Sequence, residues 1–421
     1  MKVLRICVML TLGALAQLAT PTLLGQGATT PAGPPAPSMK SLQEIWNRIG
    51  QLETKVAEQN ELIESQSDKL FGVMASQQMN LPWQLEVVDG ASADVGQFAS
   101  LAFAKDGQPA ISYFDTTNGD LKFAKFNGTT WEISVIASDG LVGRNCDLAF
   151  SPSGEAFVVY EGFNFTLMVA HRTGSEPWVL DLVGGAGVAK EPSVAFLPDG
   201  RPVIAFIENG TGLAVASLIE GEVWDVARVT PPAPPAGPVI CVSKARGQVL
   251  VGYRGGSNLQ LATRPMGGGS LSLETWLTDL PTQTFFDMTL SPSGQPSVSY
   301  LRSAPNEQRF ASMGDSLPPA LVIKNGAAGG LPGVSIAYSR LGQACTAYQY
   351  RPEFFLDDDV QLGFAFYNGS AWVHTTVDPA DNLVVGRYAS LAIGPNGLPA
   401  IAYYDETNGN LKFAHMGVFG E

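Results

Sequence analysis

The sequence predicts an all-β fold of seven repeated units, preceded by one α-helix. The repeat is marked by a glycine that recurs at intervals of 47, 46, 47, 47, 48 and 55 residues, and an aromatic residue follows each glycine six positions later. The glycines are Gly107, Gly154, Gly200, Gly247, Gly294, Gly342 and Gly397. The aromatics are Tyr113, Tyr160, Phe206, Tyr253, Tyr300, Tyr348 and Tyr403. The first and seventh units are the most alike, reading YFDTTNGDLKFA and YYDETNGNLKFA.

Each unit has four short strand-like segments, which in the first unit are SLAFA, PAISYF, LKFAKF and WEISVI. The middle segments are apolar on both side-chain alternations, so both faces of each small sheet must be covered by neighbouring sheets. A period in the forties with four strands is typical of a β-propeller blade. Residues 81–421 are therefore predicted to form a seven-bladed β-propeller with four-stranded blades.

The tryptophans predict how the ring closes. Outside Trp46 they stand at 83, 131, 178, 224, 276 and 372, each at the start of a fourth strand. Trp83 has no first three strands before it, and the seventh unit has no fourth strand after it. The N-terminal segment WQLEVVD is thus predicted to complete the seventh blade, with Trp83 and Val87 facing the core. This pairing removes an open sheet edge.

The N-terminal residues predict export. Lys2 and Arg5 precede an apolar run that continues to about Leu24, so residues 1–26 have the pattern of a secretory signal peptide. A membrane anchor is the alternative, since the run is barely long enough to span a bilayer. We expect a secreted or extracytoplasmic protein, in the periplasm or at the cell surface, that is not membrane-spanning after signal removal.

Residues 27–38 are a Pro-rich linker, and residues 39–78 are predicted to form a coiled-coil helix. Its a positions are Leu42, Ile49, Val56, Ile63 and Leu70, and its d positions are Ile45, Leu52, Gln59, Gln66 and Val73. Such spacing predicts self-association through residues 42–73, as a dimer or a trimer. A single amphipathic helix is the alternative, although its apolar stripe should drift from strict seven-residue spacing over this length.

The composition excludes nucleic acid as a partner. The net charge is -14, with 25 Lys and Arg against 39 Asp and Glu, and this balance repels a phosphate backbone. Three cysteines remain outside the signal: Cys146, Cys241 and Cys345. Each lies in an apolar, strand-like context that favours a buried core residue. An intermolecular bridge or a reactive thiol is the alternative.

The candidate binding site lies on the loops of one propeller face. Loops between second and third strands share a face with loops that lead to the next blade, around the central channel. The candidate residues from the first set of loops are Asp115, Asn118, Glu161, Glu208, Arg254, Arg302, Arg351, Asp357, Asp358, Asp359, Asp405 and Asn408. The second set adds Arg144, Lys190 and Arg387. A polar face of mixed charge suits a carbohydrate or a peptide, and it is equally expected of a solvated loop surface.

Metal and enzyme signatures are weak. The DTTNGD loop around Asp115 and Asp120 could hold calcium, but Asn-Gly predicts a hairpin turn, which is the simpler interpretation. No other cofactor is indicated. The three histidines, His171, His374 and His415, fall in third or fourth strands without metal-ligand spacing. No catalytic residue is assigned. If the protein is a polysaccharide hydrolase or lyase, its acid and base candidates are Asp115, Glu161, Glu208 and Asp405.

The segment NGTTW, at Asn127 to Trp131, is similar to the end of the Asp-box of sialidase propellers, whose pattern is Ser-x-Asp-x-Gly-x-Thr-Trp. Ala124 and Phe126 occupy the Ser and Asp places, and NGSAW in the sixth unit lacks them too. The resemblance therefore implies the fold and transfers no sialidase catalytic residue. The chain also resembles propeller lectins. The function we expect is an exported binding or adhesion module for a glycan or a cell-surface protein; a polysaccharide-acting enzyme and a structural surface protein are the alternatives.

Overall fold

The N-terminal part of the described chain is one long helix. The computed structural model describes residues 42–79, 81–90, 92–184, 187–219, 223–278, 280–281, 285–303, 306–314, 321–325, 333–351, 360–379 and 384–417. The chain divides into two compact units with the boundary between Ile63 and Glu64. Helix α1 spans Leu42–Gln78, and the first residues of the predicted helix, 39–41, lie outside the described part.

Several apolar residues at heptad positions of α1 face solvent in the single chain. Leu52, Val56 and Ile63 are all exposed. No helix among the described residues is long and apolar enough to span a membrane. The heptad stripe is therefore present on a helix, while self-association through it stays a prediction.

The rest of the chain forms seven four-stranded antiparallel sheets, as predicted. The first blade consists of β2 (Val95–Phe103), β3 (Pro109–Asp115), β4 (Asp120–Phe126) and β5 (Trp131–Ala137). The second consists of β6 (Arg144–Phe150), β7 (Ala156–Glu161), β8 (Leu167–Arg172) and β9 (Val179–Leu182). The third consists of β10 (Ala189–Phe196), β11 (Pro202–Glu208), β12 (Gly212–Leu218) and β13 (Trp224–Val229). The fourth consists of β14 (Pro235–Ser243), β15 (Gln248–Gly255), β16 (Asn258–Pro265) and β17 (Ser272–Leu277).

The remaining blades follow the same order. The fifth consists of β18 (Phe286–Leu290), β19 (Pro296–Ser303), β20 (Asn306–Ser312) and β21 (Leu321–Asn325). The sixth consists of β22 (Val334–Tyr338), β23 (Ala344–Tyr350), β24 (Gln361–Tyr367) and β25 (Trp372–Asp378). The seventh contains β26 (Val385–Ile393), β27 (Pro399–Asp405), β28 (Asn410–His415) and, from the other end of the propeller sequence, β1 (Gln84–Asp89).

Strand β1 pairs antiparallel with β28, with Gln84 opposite His415. Trp83 packs edge-to-face on Phe364, with ring centroids 5.3 Å apart. The prediction that Val87 faces the core is wrong: Val87 is 57% exposed and Val88 is 7% exposed. Val87 lies on the same side of β1 as Leu85, which is also exposed, and the register shift comes only after it, between Val87 and Asp89.

Second strands form the most buried layer of the blades. Every residue of β3, β11 and β27 is buried, which is why these segments read as continuous apolar runs rather than alternating ones. The aromatic residue of the repeat belongs to this layer: Tyr113 in β3 and Tyr403 in β27 are fully buried. The apolar core is consequently spread between neighbouring blades.

The near-identical first and seventh units are explained by a contact between blades. The Tyr113 hydroxyl donates to Asp89 Oδ2 at 2.7 Å, and Lys122 Nζ lies 2.5 Å from the same oxygen. Asp89 ends the outer strand of the preceding blade. The same arrangement joins the sixth blade to the seventh, where the residues are Asp378, Tyr403 and Lys412. The repeated Tyr and Lys thus hold adjacent blades together.

Polar side chains of the innermost strands also join the blades. Asp147 accepts hydrogen bonds from Ser100 Oγ at 2.9 Å and from Ser193 Oγ at 3.1 Å, one from each neighbouring blade. Asp287 accepts from Ser335 Oγ and from the Ile336 amide, both at 2.9 Å. Burial raises the pKa of Asp287 to about 6 and raises that of Asp147 as well.

The three described cysteines are free thiols. Cys146 and Cys345 are buried, and Cys241 is half-buried. Burial raises the pKa of each thiol to about 12. Because the thiolate is the reactive form, these environments favour the core role over a reactive one.

Candidate functional site

One end of the propeller is formed by the two sets of loops that the sequence analysis selected. The Thr116 amide donates to the Asp94 carbonyl at 2.8 Å, and the Asn209 amide donates to the Val188 carbonyl at 2.7 Å. Each bond links a loop between second and third strands to a loop that enters the blade. We call this end the mouth face, because the innermost strands open there onto the central channel of the ring.

The innermost strands carry strained backbone as they enter the mouth face. Phe98, Asn145, Glu191 and Tyr388 have φ values of 55°, 49°, 51° and 53°. Each lies at a break in the ladder between the first and second strands of its blade. The left-handed region costs a non-glycine residue about 1 to 2 kcal/mol, and such strain concentrates at functional sites.

The bulges place pairs of side chains at equivalent positions of four consecutive blades, the seventh, first, second and third. We call these eight residues the mouth cluster: Arg387, Tyr388, Gln97, Phe98, Arg144, Asn145, Lys190 and Glu191. The three cations were predicted from the sequence, and the other five residues were not. Their signal was present as VGRYAS, VGQFAS, VGRNCD and VAKEPS, one copy in each of the four blades.

The glycine of this motif allows close packing. Gly96 has a φ of 108°, and a Cβ there would lie 2.7 Å from the Leu411 Cα of the neighbouring blade. Gly143 has a φ of 95° and would meet Leu121 in the same way, at 2.6 Å from its Cβ. Only glycine satisfies both the conformation and the distance. The glycine therefore fixes where the next two side chains emerge.

Aromatic rings line the mouth face between the seventh and first blades. The centroids of Phe98 and Tyr388 are 4.5 Å apart, those of Tyr388 and Tyr404 are 6.3 Å apart, and those of Phe98 and Phe114 are 6.3 Å apart. The Arg144 guanidinium lies over Phe114, 5.6 Å from its centroid. Phe98 and Tyr388 are half-buried. The row is anchored in the core and partly open to solvent.

The loop between β7 and β8, residues 162–166, presents two further aromatic rings. Phe163 is 61% exposed and Phe165 is 46% exposed. Asn164 and Phe165 are both left-handed, with φ values of 58° and 59°. The Gly162 amide donates to the Thr166 carbonyl at 2.8 Å and closes the loop. Two exposed aromatics held on strained backbone favour a binding role over a packing role.

This aromatic loop is continuous with the mouth cluster. Lys190 Nζ lies 4.7 Å from the centroid of Phe165. On the adjoining strand end, Glu161 Oε1 accepts from Asn145 Nδ2 at 2.7 Å and from the Glu191 amide at 2.8 Å. Residues of the second and third blades thus form one connected surface.

The predicted acidic loop residues of the first and seventh blades are used in turns. Asp115 accepts from the Asn118 amide at 3.0 Å and from Asn118 Nδ2 at 2.9 Å. Asp405 and Asn408 repeat this arrangement at 3.1 and 2.9 Å. Both carboxylates are almost fully buried. These four residues shape hairpin turns, as the Asn-Gly interpretation of the DTTNGD loop predicted.

Glu161 and Glu208 are also buried; Glu161 uses Oε1, and Glu208 uses both oxygens, in internal hydrogen bonds. Glu208 receives two hydrogen bonds from Arg228, Nε to Oε2 at 2.7 Å and Nη2 to Oε1 at 3.0 Å. Although burial raises the pKa of Glu208, the Arg228 contact lowers it below the ordinary value. The four acid and base candidates are therefore held as internal hydrogen-bond acceptors.

The predicted arginines differ in what they contact. Arg387 donates to Glu406 Oε1 at 2.8 Å and lies over Tyr388 at 5.4 Å. Arg254 donates to the Gly256 carbonyl at 3.4 Å. Arg302 is half-buried, and its Nε has no hydrogen-bond partner in the described chain. Arg351 is exposed.

The longest insertion lies outside the described residues, and with it Asp357, Asp358 and Asp359. The described residues contain no group of three or more His, Cys, Asp or Glu side chains that could hold a metal ion. His171, His374 and His415 lie in β8, β25 and β28, in the third and fourth strands where the sequence placed them.

Two concave cavities lie at the end of the blades opposite the mouth face. The cavity between the seventh and first blades has a volume of about 180 Å³ and is lined by Glu86, Phe126, Trp131 and His415, among others. Trp131 Nε1 donates to Glu86 Oε2 at 2.9 Å, and His415 Nε2 lies 3.0 Å from Glu86 Oε1. The cavity between the first and second blades is about 400 Å³. In the first cavity the Glu86 carboxylate is thus already used by Trp131 and His415, and in the second Lys125 is paired with Asp106.

Comparison with solved structures identifies the same fold at low sequence identity. An ulvan lyase, a polysaccharide lyase bound to -[GlcA(1-4)Rha3S]-, has a TM-score of 0.55 and 11% identity over 80% of this chain and 96% of that one. A mutant of AofleA from Arthrobotrys oligospora has a TM-score of 0.50 and 11% identity over 71% of this chain and 91% of that one. The SapL1 lectin, in complex with alpha methyl fucoside, has a TM-score of 0.48 and 13% identity over 68% of this chain and 99% of that one. No protein-family model and no curated protein sequence matches the chain.

Proposed function

We propose that this protein is an exported carbohydrate-binding module, which binds glycan at the mouth face and is displayed on a self-associating helix. The observation that carries the proposal is the pair of exposed rings, Phe163 and Phe165, on strained backbone beside the cations of the mouth cluster. Aromatic faces pack against the apolar faces of sugar rings, while charged and amide groups bind hydroxyl and carboxylate groups.

The scaffold is compatible with this proposal. The ulvan lyase holds a saccharide on the same fold, so a propeller of this kind can accommodate a polysaccharide. The two proteins are alike in fold only, so the proposal that this chain binds glycan depends on its own side chains. Export depends on the N-terminal signal pattern, which lies outside the described residues.

A binding role has more support than a hydrolase role. Hydrolysis needs a carboxylic acid and a carboxylate that reach the glycosidic bond. Asp115, Glu161, Glu208 and Asp405 are instead buried and accept internal hydrogen bonds. Using any of them would first require breaking those contacts.

The test is a glycan array with the purified full chain, run beside an assay for release of reducing sugar. We expect glycan binding without release. The double variant Phe163→Ala/Phe165→Ala removes both exposed rings, so its affinity for the bound glycans should fall about tenfold. This corresponds to a loss of about 1.4 kcal/mol in binding free energy. The matched control is Ile133→Ala/Val135→Ala, which truncates two exposed residues of the outer strand β5 and should bind as the wild type does.

Each other outcome contradicts part of the proposal. Unchanged binding by the phenylalanine variant would place the site elsewhere. Release of reducing sugar would identify an enzyme. An array on which no glycan is bound would exclude the carbohydrate function altogether.

A further inference from the structure

We infer that the glycan bound at the mouth face is an acidic polysaccharide, whose carboxylate or sulfate groups contact Arg144 and Lys190. This inference depends on the proposed function and narrows its ligand class.

Two of the charged groups exposed at this part of the mouth face are cations, and Asp139, in the loop that enters the second blade, is an exposed acid. Arg144 and Lys190 are both exposed, and neither forms an ion pair with another described residue. Glu161 is buried, with Oε1 accepting two hydrogen bonds, and Glu191 Oε2 accepts from the Gly237 amide at 2.6 Å. An incoming ligand therefore meets the N–H donors of Arg144 and Lys190, while Glu161 and Glu191 each use a carboxylate oxygen in internal hydrogen bonds.

Both cations are positioned by aromatic rings. Arg144 lies 5.6 Å from the centroid of Phe114, and Lys190 lies 4.7 Å from that of Phe165. A cation over a ring face is attracted to it, so both heads are held above the surface. The guanidinium keeps its planar set of donors, which matches the two oxygens of a carboxylate or sulfate.

Arg144 and Lys190 occupy equivalent bulges in neighbouring blades, and a third equivalent cation, Arg387, is already paired with Glu406. Two unpaired cations on adjacent blades suit a ligand with repeated negative charges better than one isolated anion. The net charge of the whole chain is -14, which repels a polyanion. The two cations would direct a polyanion to this face in spite of that repulsion.

The experiment measures binding of the full chain to two matched pairs of polymers: polygalacturonate with its methyl ester, and dextran sulfate with dextran. We expect binding to at least one polyanion, weaker binding to its uncharged partner, and loss of affinity as salt rises and screens the charges. The two pairs distinguish a carboxylate ligand from a sulfate ligand. Arg144→Gln and Lys190→Gln should each weaken binding by about two- to tenfold.

The control is Lys244→Gln, which removes an exposed cation from the turn between β14 and β15, at the end opposite the mouth face. It should bind as the wild type does. Equal affinity for the charged and uncharged polymers, no binding to either polyanion, or no effect of the two mouth variants would each overturn the acidic-ligand inference. In those cases binding to neutral glycans on the array would leave the carbohydrate function standing, whereas an empty array would remove both.

Discussion

Single polar side chains at the blade interfaces join neighbouring blades. Asp89 lies at the end of β1 and receives both the Tyr113 hydroxyl and the Lys122 ammonium of the next blade. Lys122 Nζ is also 3.7 Å from Asp115. Because little of these side chains is exposed, their polar groups depend on one another rather than on water.

Replacement of Asp89 should therefore destabilise the propeller strongly. In Asp89→Ala, the Tyr113 hydroxyl and the Lys122 ammonium lose their shared acceptor, so we expect the free energy of unfolding to fall by about 2 to 4 kcal/mol. Chemical denaturation monitored by tryptophan fluorescence measures this. Asp106→Ala is the control, because it removes the half-exposed partner of Lys125 and should cost about 1 kcal/mol or less. Equal losses in the two variants would contradict a special role for the Asp89 contact.

Asp287 should make stability depend on pH. Burial raises its pKa to about 6 in the folded protein, whereas an unfolded Asp titrates near about 3.9. As pH falls from 7.5 to 5, the folded state gains a proton that the unfolded chain does not, so this group adds stability. The melting temperature of the wild type minus that of Asp287→Asn should thus become larger as the pH falls through this range. A difference that is constant with pH, or that shrinks on acidification, would show that Asp287 does not titrate there.

At the scale of elements, the N-terminal strand completes the seventh blade, and the inner-strand bulges interrupt the ladder between the first two strands of four blades. Strand β1 is the outer strand of the seventh blade although it precedes the first blade in sequence. It covers the edge that β28 would otherwise leave open. The bulges in the innermost strands direct side chains of those strands to the mouth face.

Deletion of residues 81–90 should lower the melting temperature sharply or cause aggregation. The deletion leaves β28 as an unpaired edge and removes Trp83 from its contact with Phe364. Trp83 is half-buried, so Trp83→Ala alone should cost about 2 kcal/mol, less than the roughly 3 to 5 kcal/mol usual for a fully buried aromatic. Trp46→Ala is the matched control, because Trp46 is exposed on α1, and it should leave propeller unfolding unchanged. Thermal unfolding unaffected by the deletion would contradict closure by β1.

For the whole molecule, the helix and the propeller suggest multivalent binding. Helix α1 adds about 1.5 Å of length per residue, and its heptad pattern predicts pairing with one or two further copies of the same helix. If the copies assemble, several propellers can bind one surface at once, and the overall avidity can exceed the affinity of a single site by about 10² to 10⁴.

Removal of residues 39–78 should give a folded monomer with weakened surface binding. Light scattering would measure its mass, and binding to a glycan-coated surface should collapse, while affinity for a soluble monovalent glycan should stay the same. Full-length protein that is monomeric at micromolar concentration would exclude the self-associating stalk.

The sequence by itself determined the repeat, the number of blades and the heptad stripe. These features follow from periodicity in one dimension: glycine and aromatic spacing marks each blade, and alternation identifies strands that are buried on both faces. The chain also carried the motif of the bulges, VGxx in the seventh, first and second blades and VAKE in the third. Its meaning depends on left-handed φ values that neither Phe98 nor Tyr388 favours by itself.

Only the tertiary structure decided which polar residues are available to a ligand. Asp115 and Glu208 look like site residues in the sequence, yet neighbouring chain segments bury them and occupy their oxygens. Arg144 and Lys190 are exposed and lie over rings of a distant strand and a neighbouring loop, Phe114 and Phe165. Pairing of this kind joins residues that are distant in the chain, so no local pattern specifies it.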